Sequence, residues 1–158
     1  MNTPDLVIVR VFDAPRVRVW RAWTRPALVM RWWGPKGYSS PSCSIDLRVD
    51  GKYIFCMHSI KEEQDLYSTG TYKEIVPNER LAFTDSFSDE HGNIVSPEEY
   101  SMPEDFPEVL NVTVVLEDQE GGKTKMTLTH ICMTEAMHKL CAQSWNEIFD
   151  KLAEALKE

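Results

Sequence analysis

The sequence predicts an α+β fold in which a curved, seven-stranded antiparallel sheet wraps around one long C-terminal helix, with two short helices after the first strand. Two periodicities and one area argument carry that prediction. Between residues 134 and 158, Met137, Leu140, Cys141, Trp145, Ile148, Phe149, Leu152 and Leu156 recur at three- and four-residue steps, the period of a helix with one buried face. Between residues 43 and 132 that period is absent, and apolar residues alternate in runs separated by Gly, Pro and Asp turns. Seven strands at ~4.8 Å spacing span about 30 Å or more, whereas one helix with its side chains covers only ~10 to 12 Å. The sheet must therefore curl around the helix, and a curled sheet on a straight helix leaves internal space, the expected functional site.

The chain opens on an alternating, β-branched strand, Leu6 to Phe12. Asp13-Ala14-Pro15 then starts a helix, with Asp13 as cap, Pro15 in the first turn and Val19, Trp20 and Trp23 on the inner face. A second short helix opens at Thr24, places Pro26 in its first turn, buries Leu28, Val29 and Trp32, and stops at Gly34-Pro35. Cys43 to Val49 and Tyr53 to Met57 read as a hairpin around Asp50-Gly51. Gly70 to Val76 and Leu81 to Phe87 form a second around Pro77-Asn78-Glu79-Arg80, and Leu110 to Glu117 with Thr124 to Cys132 a third around Gly121-Gly122. Gly51 and Gly70 mark places where the backbone bends or is closely approached. The final helix has Thr134 as cap, Glu135 in its first turn and Lys157 in its last, charges that suit the helix dipole.

The segment from residue 86 to 108 is long for a loop in a compact domain, with Gly92, Pro97, Pro103 and Pro107 among its residues. From Asp85 to Glu108 there are eight acids and no Lys or Arg, which accounts for the net charge of −8. Its Tyr100, Met102 and Phe106 lead us to expect a cavity lid closed by apolar docking. The arginines of the first quarter, Arg10 to Arg31, are expected on a solvated face.

At 158 residues, 42% hydrophobic and 27% charged, the chain is expected to be one domain, 1–158. It has no apolar run near the ~20 residues of a membrane span and no signal pattern, so the expected address is the cytoplasm, without membrane insertion. The four cysteines, Cys43, Cys56, Cys132 and Cys141, are scattered without C-x-x-C and read as reduced, mostly buried thiols. A Gly-rich phosphate loop, H-E-x-x-H, G-x-S-x-G and EF-hand spacing are all missing, so no cofactor and no metal is expected, and no nucleic-acid partner.

By alternation, Tyr53, Phe55, Met57, Tyr72, Phe83, Val112, Val114, Met126, Leu128 and His130 share the inner face of the sheet. The ligand-binding candidates are Tyr53, Phe55, Met57, Tyr72, Phe83, Val114, Met126, Leu128 and His130, with Trp33 and, from the long helix, Met137 and Trp145. An aromatic and Met-rich face describes a packed core equally well. His130 and Glu74 are the candidates for acid/base work; Glu74 shares the parity of Tyr72, which makes it inward-facing or the sign of a register shift, and we expect the shift or a place at the rim.

Asp13-Ala14-Pro15 with Val19-Trp20, then Ala22-Trp23-Thr24, Arg31-Trp32-Trp33-Gly34-Pro35, Asp46-Leu47-Arg48, Gly70-x-Tyr72-x-Glu74-Ile75-x-Pro77 and Glu79-Arg80-Leu81-x-Phe83-Thr84 resemble one family over nearly the whole chain. It is the family named for the activator of the heat-shock protein 90 ATPase, within the START-like (birch-allergen-like, SRPBCC) superfamily. The resemblance implies the helix-grip fold. Its superfamily includes lipid and hormone carriers, polyketide cyclases and co-chaperone domains, so fold alone leaves function open. Two departures stand out: Ser144-Trp145 where many relatives read Gly-Trp, which narrows the room beside the helix, and Asp50-Gly51 where relatives often carry a Gly pair.

The expected function is binding of a small hydrophobic or aromatic molecule in an internal cavity. The alternatives are an enzyme of cyclase or hydrolase type using the same cavity, and a module that activates a chaperone ATPase; the chaperone partner is less favoured because the separate N-terminal domain of the two-domain co-chaperone is absent from this sequence. A homodimer is compatible with the sequence, which carries no zipper signature.

Overall fold

The computed structural model describes residues 5–100, 107–131 and 135–157. Its elements are β1 (Leu6–Phe12), α1 (Arg16–Thr24), α2 (Pro26–Val29), β2 (Tyr38–Ser39), β3 (Cys43–Ile45), β4 (Lys52–Ser59), β5 (Gln64–Val76), β6 (Arg80–Ser88), a 3-10 turn (Pro97–Tyr100), β7 (Leu110–Gln119), β8 (Lys123–Ile131) and α3 (Glu135–Ala155). The sheet order is β1-β8-β7-β6-β5-β4-β2, with β3 also on β4 and all pairings antiparallel. β2 lies opposite Ser59 and His58 while β3 lies opposite Phe55 to Tyr53, so the two short strands share one edge. Eight segments thus fill seven positions across the curled sheet, the helix-grip arrangement the two periodicities predict.

Alternation sets the faces. In β1, Leu6, Ile8 and Phe12 are buried while Val7, Val9 and Val11 point out. α3 lays Met137, Trp145, Ile148, Phe149, Leu152 and Leu156 into the concave side. Trp23 is the hub between helices and sheet. Its ring meets Trp32 edge-on at 4.8 Å and packs against Phe83, Trp145 and Phe149, and its Nε1 donates to Met126 Sδ at 3.3 Å. Trp32 Nε1 donates to Ala22 O at 3.0 Å, tying α2 back to α1.

Several boundaries differ from expectation for visible reasons. The predicted strand from Cys43 to Val49 ends at Ile45, leaving Leu47 and Val49 exposed at 40% and 55%. The backbone groups of the turn are taken by β5 instead: Asp50 N–H donates to Tyr72 O and Tyr72 N–H to Gly51 O. Asp50 there adopts φ +68°, and a Cβ on Gly51 would stand 2.2 Å from Asp46 O, so close approach requires glycine. Pro15, rather than Asp13, occupies the cap of α1 and makes no side-chain capping bond. The second helix starts at Pro26, since Thr24 closes α1 with its hydroxyl donating to Trp20 O. β5 begins six residues earlier than the predicted Gly70, because Gln64 to Thr69 pair with β4 despite their polar composition. The expected helix cap Thr134, Cys132, Met102 and Phe106 lie outside the described residues.

The expected lid is built otherwise in its described part. Ser88 and Ile94 form a β-bridge, Val95 N–H donates to Phe87 O, and the Tyr100 hydroxyl donates to Ser88 O while accepting from Tyr67 N–H. Gly92 lies against Ile54 and Thr69, which are on the convex face of the sheet. The part around Gly92 therefore lies on the outside of β4 and β5, and Ser86 and Ser88 are buried, whereas the Tyr100 ring packs against Phe87 at 5.3 Å. The arginines also have partners: Arg10 pairs with Asp150 of α3 at 2.7 Å and Arg16 with Asp118 at 2.9 Å. Both are surface pairs, with the carboxylates largely in solvent, and Arg21, Arg25 and Arg31 are exposed.

Candidate functional site

A cavity of about 380 Å³ opens between α3, the concave side of the sheet and the segment that follows α2. α3 presents Leu140, Cys141, Gln143, Ser144, Trp145, Glu147 and Ile148 to it, one helical face over two turns. Met57 comes from β4, Leu66 and Ser68 from β5, Asp85, Ser86 and Phe87 from β6, Leu110 from β7 and His130 from β8. Trp33, Pro35, Lys36 and Tyr38 close one side, where Lys151 Nζ donates to both Gly34 O and Tyr38 O at 2.8 and 2.9 Å. Pro107 completes the rim.

Of the residues predicted from sequence, the fold brings Trp33, Met57, His130 and Trp145 to this cavity. Tyr53, Phe55, Tyr72 and Phe83 instead enclose, with Trp23 and Leu81, a void with no room for a water molecule. Their rings fill the space, with Tyr53 and Phe55 at 4.4 Å and Tyr53 and Tyr72 at 5.6 Å. Val114, Met126, Leu128 and Met137 are buried in the core and do not line the cavity. Glu74 lies beyond a register shift in β5, exposed and paired with Arg80 at 2.7 Å, so it shares no site with His130. One half of the concave face is thus closed core and the other half is open.

Asp85 lines the cavity without being among the sequence candidates: it heads the acidic segment, but it also continues the inward parity of Leu81 and Phe83. Its Oδ1 lies 2.8 Å from the Tyr53 hydroxyl, which also lies 2.7 Å from Thr84 O. Gly70 makes that approach feasible, since a Cβ there would stand 1.8 Å from Thr84 O and 2.6 Å from the Tyr53 hydroxyl. Burial raises the Asp85 carboxyl to about 6, against the hydrogen bonds from Tyr53 and the Ser86 N–H that favour its charged form. Burial likewise pushes the Cys141 thiol up to about 11, helped by Asp85, so Cys141 is a small apolar wall residue and not a nucleophile at neutral pH.

His130 is 2% exposed, and burial lowers it to about 4, so its ring is neutral at pH 7. Trp145 Nε1 donates to His130 Nδ1 at 3.2 Å, which assigns the ring proton to Nε2. That Nε2 has no protein partner among the described residues, and neither has Trp33 Nε1. The site therefore combines apolar walls with two unengaged N–H donors and two carboxyls, Asp85 and Glu147. Among the described residues no group of three or more His, Cys, Asp or Glu side chains could hold a metal ion.

The sequence profile of the Activator of Hsp90 ATPase homolog 1-like protein family matches residues 13–157. No curated relative matches the chain. Among solved structures, protein CV1439 from Chromobacterium violaceum is similar at 25% identity and a TM-score of 0.77, over 98% of this chain and 97% of that one. Protein NE0264 from Nitrosomonas europaea is similar at 25% identity and 0.77, over 97% and 94%, and a protein from Arthrobacter aurescens at 26% and 0.76, over 99% and 91%. Residue motifs, fold and profile agree, and the chain belongs to the Activator of Hsp90 ATPase homolog 1-like family.

Proposed function

We propose that this protein binds a small hydrophobic or aromatic molecule in the cavity between α3 and the curled sheet, as a cytoplasmic one-domain carrier or sensor. The observation that carries the reading is the cavity itself: about 380 Å³ falls within the range of small-molecule sites, and its walls are Trp33, Met57, Leu66, Phe87, Leu110, Leu140, Trp145 and Ile148. Well-packed interiors rarely keep such a space unfilled. The few polar groups at its wall, His130 and Asp85 foremost, suit a ligand that is apolar over most of its surface with a polar end. Trp33 and Trp145 line the cavity, so their emission reports on occupancy. Titration with 1-naphthalenemethanol should change tryptophan fluorescence saturably in the wild type. Ser144→Phe, which fills the cavity from α3, should abolish the change while keeping the wild-type circular dichroism; binding unaltered by that substitution would place the ligand elsewhere.

A further inference from the structure

The cavity holds a carboxylate, Asp85, with no paired cation among the described residues. Asp85 lines the cavity, and its hydrogen-bond donors among the described residues are the Tyr53 hydroxyl and the Ser86 N–H. The Tyr53 proton is itself shared, since Thr84 O competes for it at 2.7 Å. No Lys, Arg or His pairs with Asp85 among the described residues. Lys36, the one basic residue of the wall, is exposed, and its backbone N–H donates to Glu147. The other titratable groups facing the same space are His130 and Cys141, both uncharged at neutral pH, along with Tyr38 and Glu147.

Both protonation states of Asp85 offer the ligand an acceptor. Ionised, the carboxylate has more lone pairs than donors. Protonated, it can donate to the Tyr53 oxygen while Tyr53 donates to Thr84 O, which uses both hydrogens inside the protein and leaves acceptor lone pairs free. A ligand carboxylate could accept from the neutral His130 and Trp33 N–H groups but at Asp85 would meet like charge or an acceptor, whereas a protonated amine would meet its counter-charge there. The rings of Trp33, Tyr38, Phe87 and Trp145 in the wall add faces that attract a cation. The net charge of −8 draws cations toward the molecule.

We infer that the cavity selects amphipathic aromatic or aliphatic amines, with the ammonium group held by Asp85 and the apolar body against Trp33, Trp145 and Leu110. This inference rests on the cavity reading above and adds the chemical class of the ligand. Three probes of one shape test it: 1-naphthylmethylamine, 1-naphthalenemethanol and 1-naphthoate, titrated calorimetrically at pH 8. The amine should bind about tenfold or more tighter than the alcohol, the scale of one charge-assisted hydrogen bond, and the acid weakest. Asp85→Asn should remove the amine's advantage, bringing its affinity to about that of the alcohol for the same variant. Independently of that variant's folding, the wild-type preference for amine over alcohol should shrink between pH 8 and pH 5. Equal binding of amine and alcohol, or a preference that survives both Asp85→Asn and acidification, overturns the amine assignment while leaving the cavity reading intact. Binding of none of the three overturns both.

Discussion

At the scale of single residues, the site depends on one hydrogen atom where any other residue has a Cβ. Gly70 sits opposite Tyr53 in the β4–β5 ladder, and the missing side chain lets the Tyr53 hydroxyl reach Thr84 O and Asp85. Gly70→Ala would put a methyl group 1.8 Å from Thr84 O, a backbone atom that cannot rotate away. The strand must shift or Tyr53 must leave, and we expect a loss of about 3 kcal/mol or more in urea unfolding. A loss below ~1 kcal/mol would mean that the strand relaxes freely and that the close approach is not what positions Asp85. The glycine's role was legible in the sequence as a close-approach position. What it makes room for was not, because Tyr53 and Asp85 are thirty-two residues apart and meet only through strand pairing.

At the scale of elements, one lysine of α3 makes a double tie to the segment that closes the cavity, beside the Lys36 N–H bond to Glu147. Lys151 is half-buried, and its ammonium donates to Gly34 O and Tyr38 O, fastening the helix to the segment that closes one side of the site. Burial lowers its pKa without removing its role as a donor. Lys151→Met keeps the stem and deletes the head, leaving two carbonyls without that partner. The expected cost is about 1 to 3 kcal/mol, with faster ligand release because Trp33, Pro35 and Tyr38 lose their tether. Stopped-flow displacement of a bound naphthyl probe checks the rate, and an unchanged rate would show that packing and the Lys36 N–H bond to Glu147 hold this side of the cavity without Lys151. Here too the sequence speaks in part. The period of α3 identifies its buried face, whereas Lys151, four residues after Glu147, has the spacing of an ordinary solvent-side ion pair.

At the scale of the whole molecule, two buried cavity groups act on stability in opposite directions as the solution is acidified. His130 is lowered from 6.5 to about 4, so between those values the unfolded chain binds more protons and folding loses stability as pH falls. Asp85 is raised from 3.8 to about 6, so over nearly the same window the folded chain binds more protons and folding gains stability as pH falls. Each effect amounts to about 3 kcal/mol from the size of its shift, at 1.36 kcal/mol per pKa unit, and in the wild type they nearly cancel. Relative to wild type, His130→Leu should therefore become more stable as pH goes from 6.5 to 4, and Asp85→Asn less stable. Denaturant midpoints measured at both pH values for the three proteins check the signs. Parallel behaviour of the two variants would mean that one of these groups titrates normally.

The helical period of residues 135–155 and the strand alternation through most of the chain are local properties, set by which side chains need burial, and they were sufficient to predict a sheet curled around a helix. The same alternation could say that Tyr53, Tyr72 and Phe83 face inward but not whether inward means core or cavity. That depends on whether rings from distant strands meet. At one end of the sheet they do, with Trp23 wedged among them, and the space closes. At the other end Ser68, Asp85 and Ser144 are too small to fill the gap between sheet and helix, and it stays open. Glu74 leaves the inner face because a register shift in β5, which a charged residue at inward parity signals in the sequence, turns it outward to Arg80. The architecture therefore follows from short-range periodicity, whereas the position of the cavity and the identity of its polar residues depend on long-range packing that only the folded chain decides.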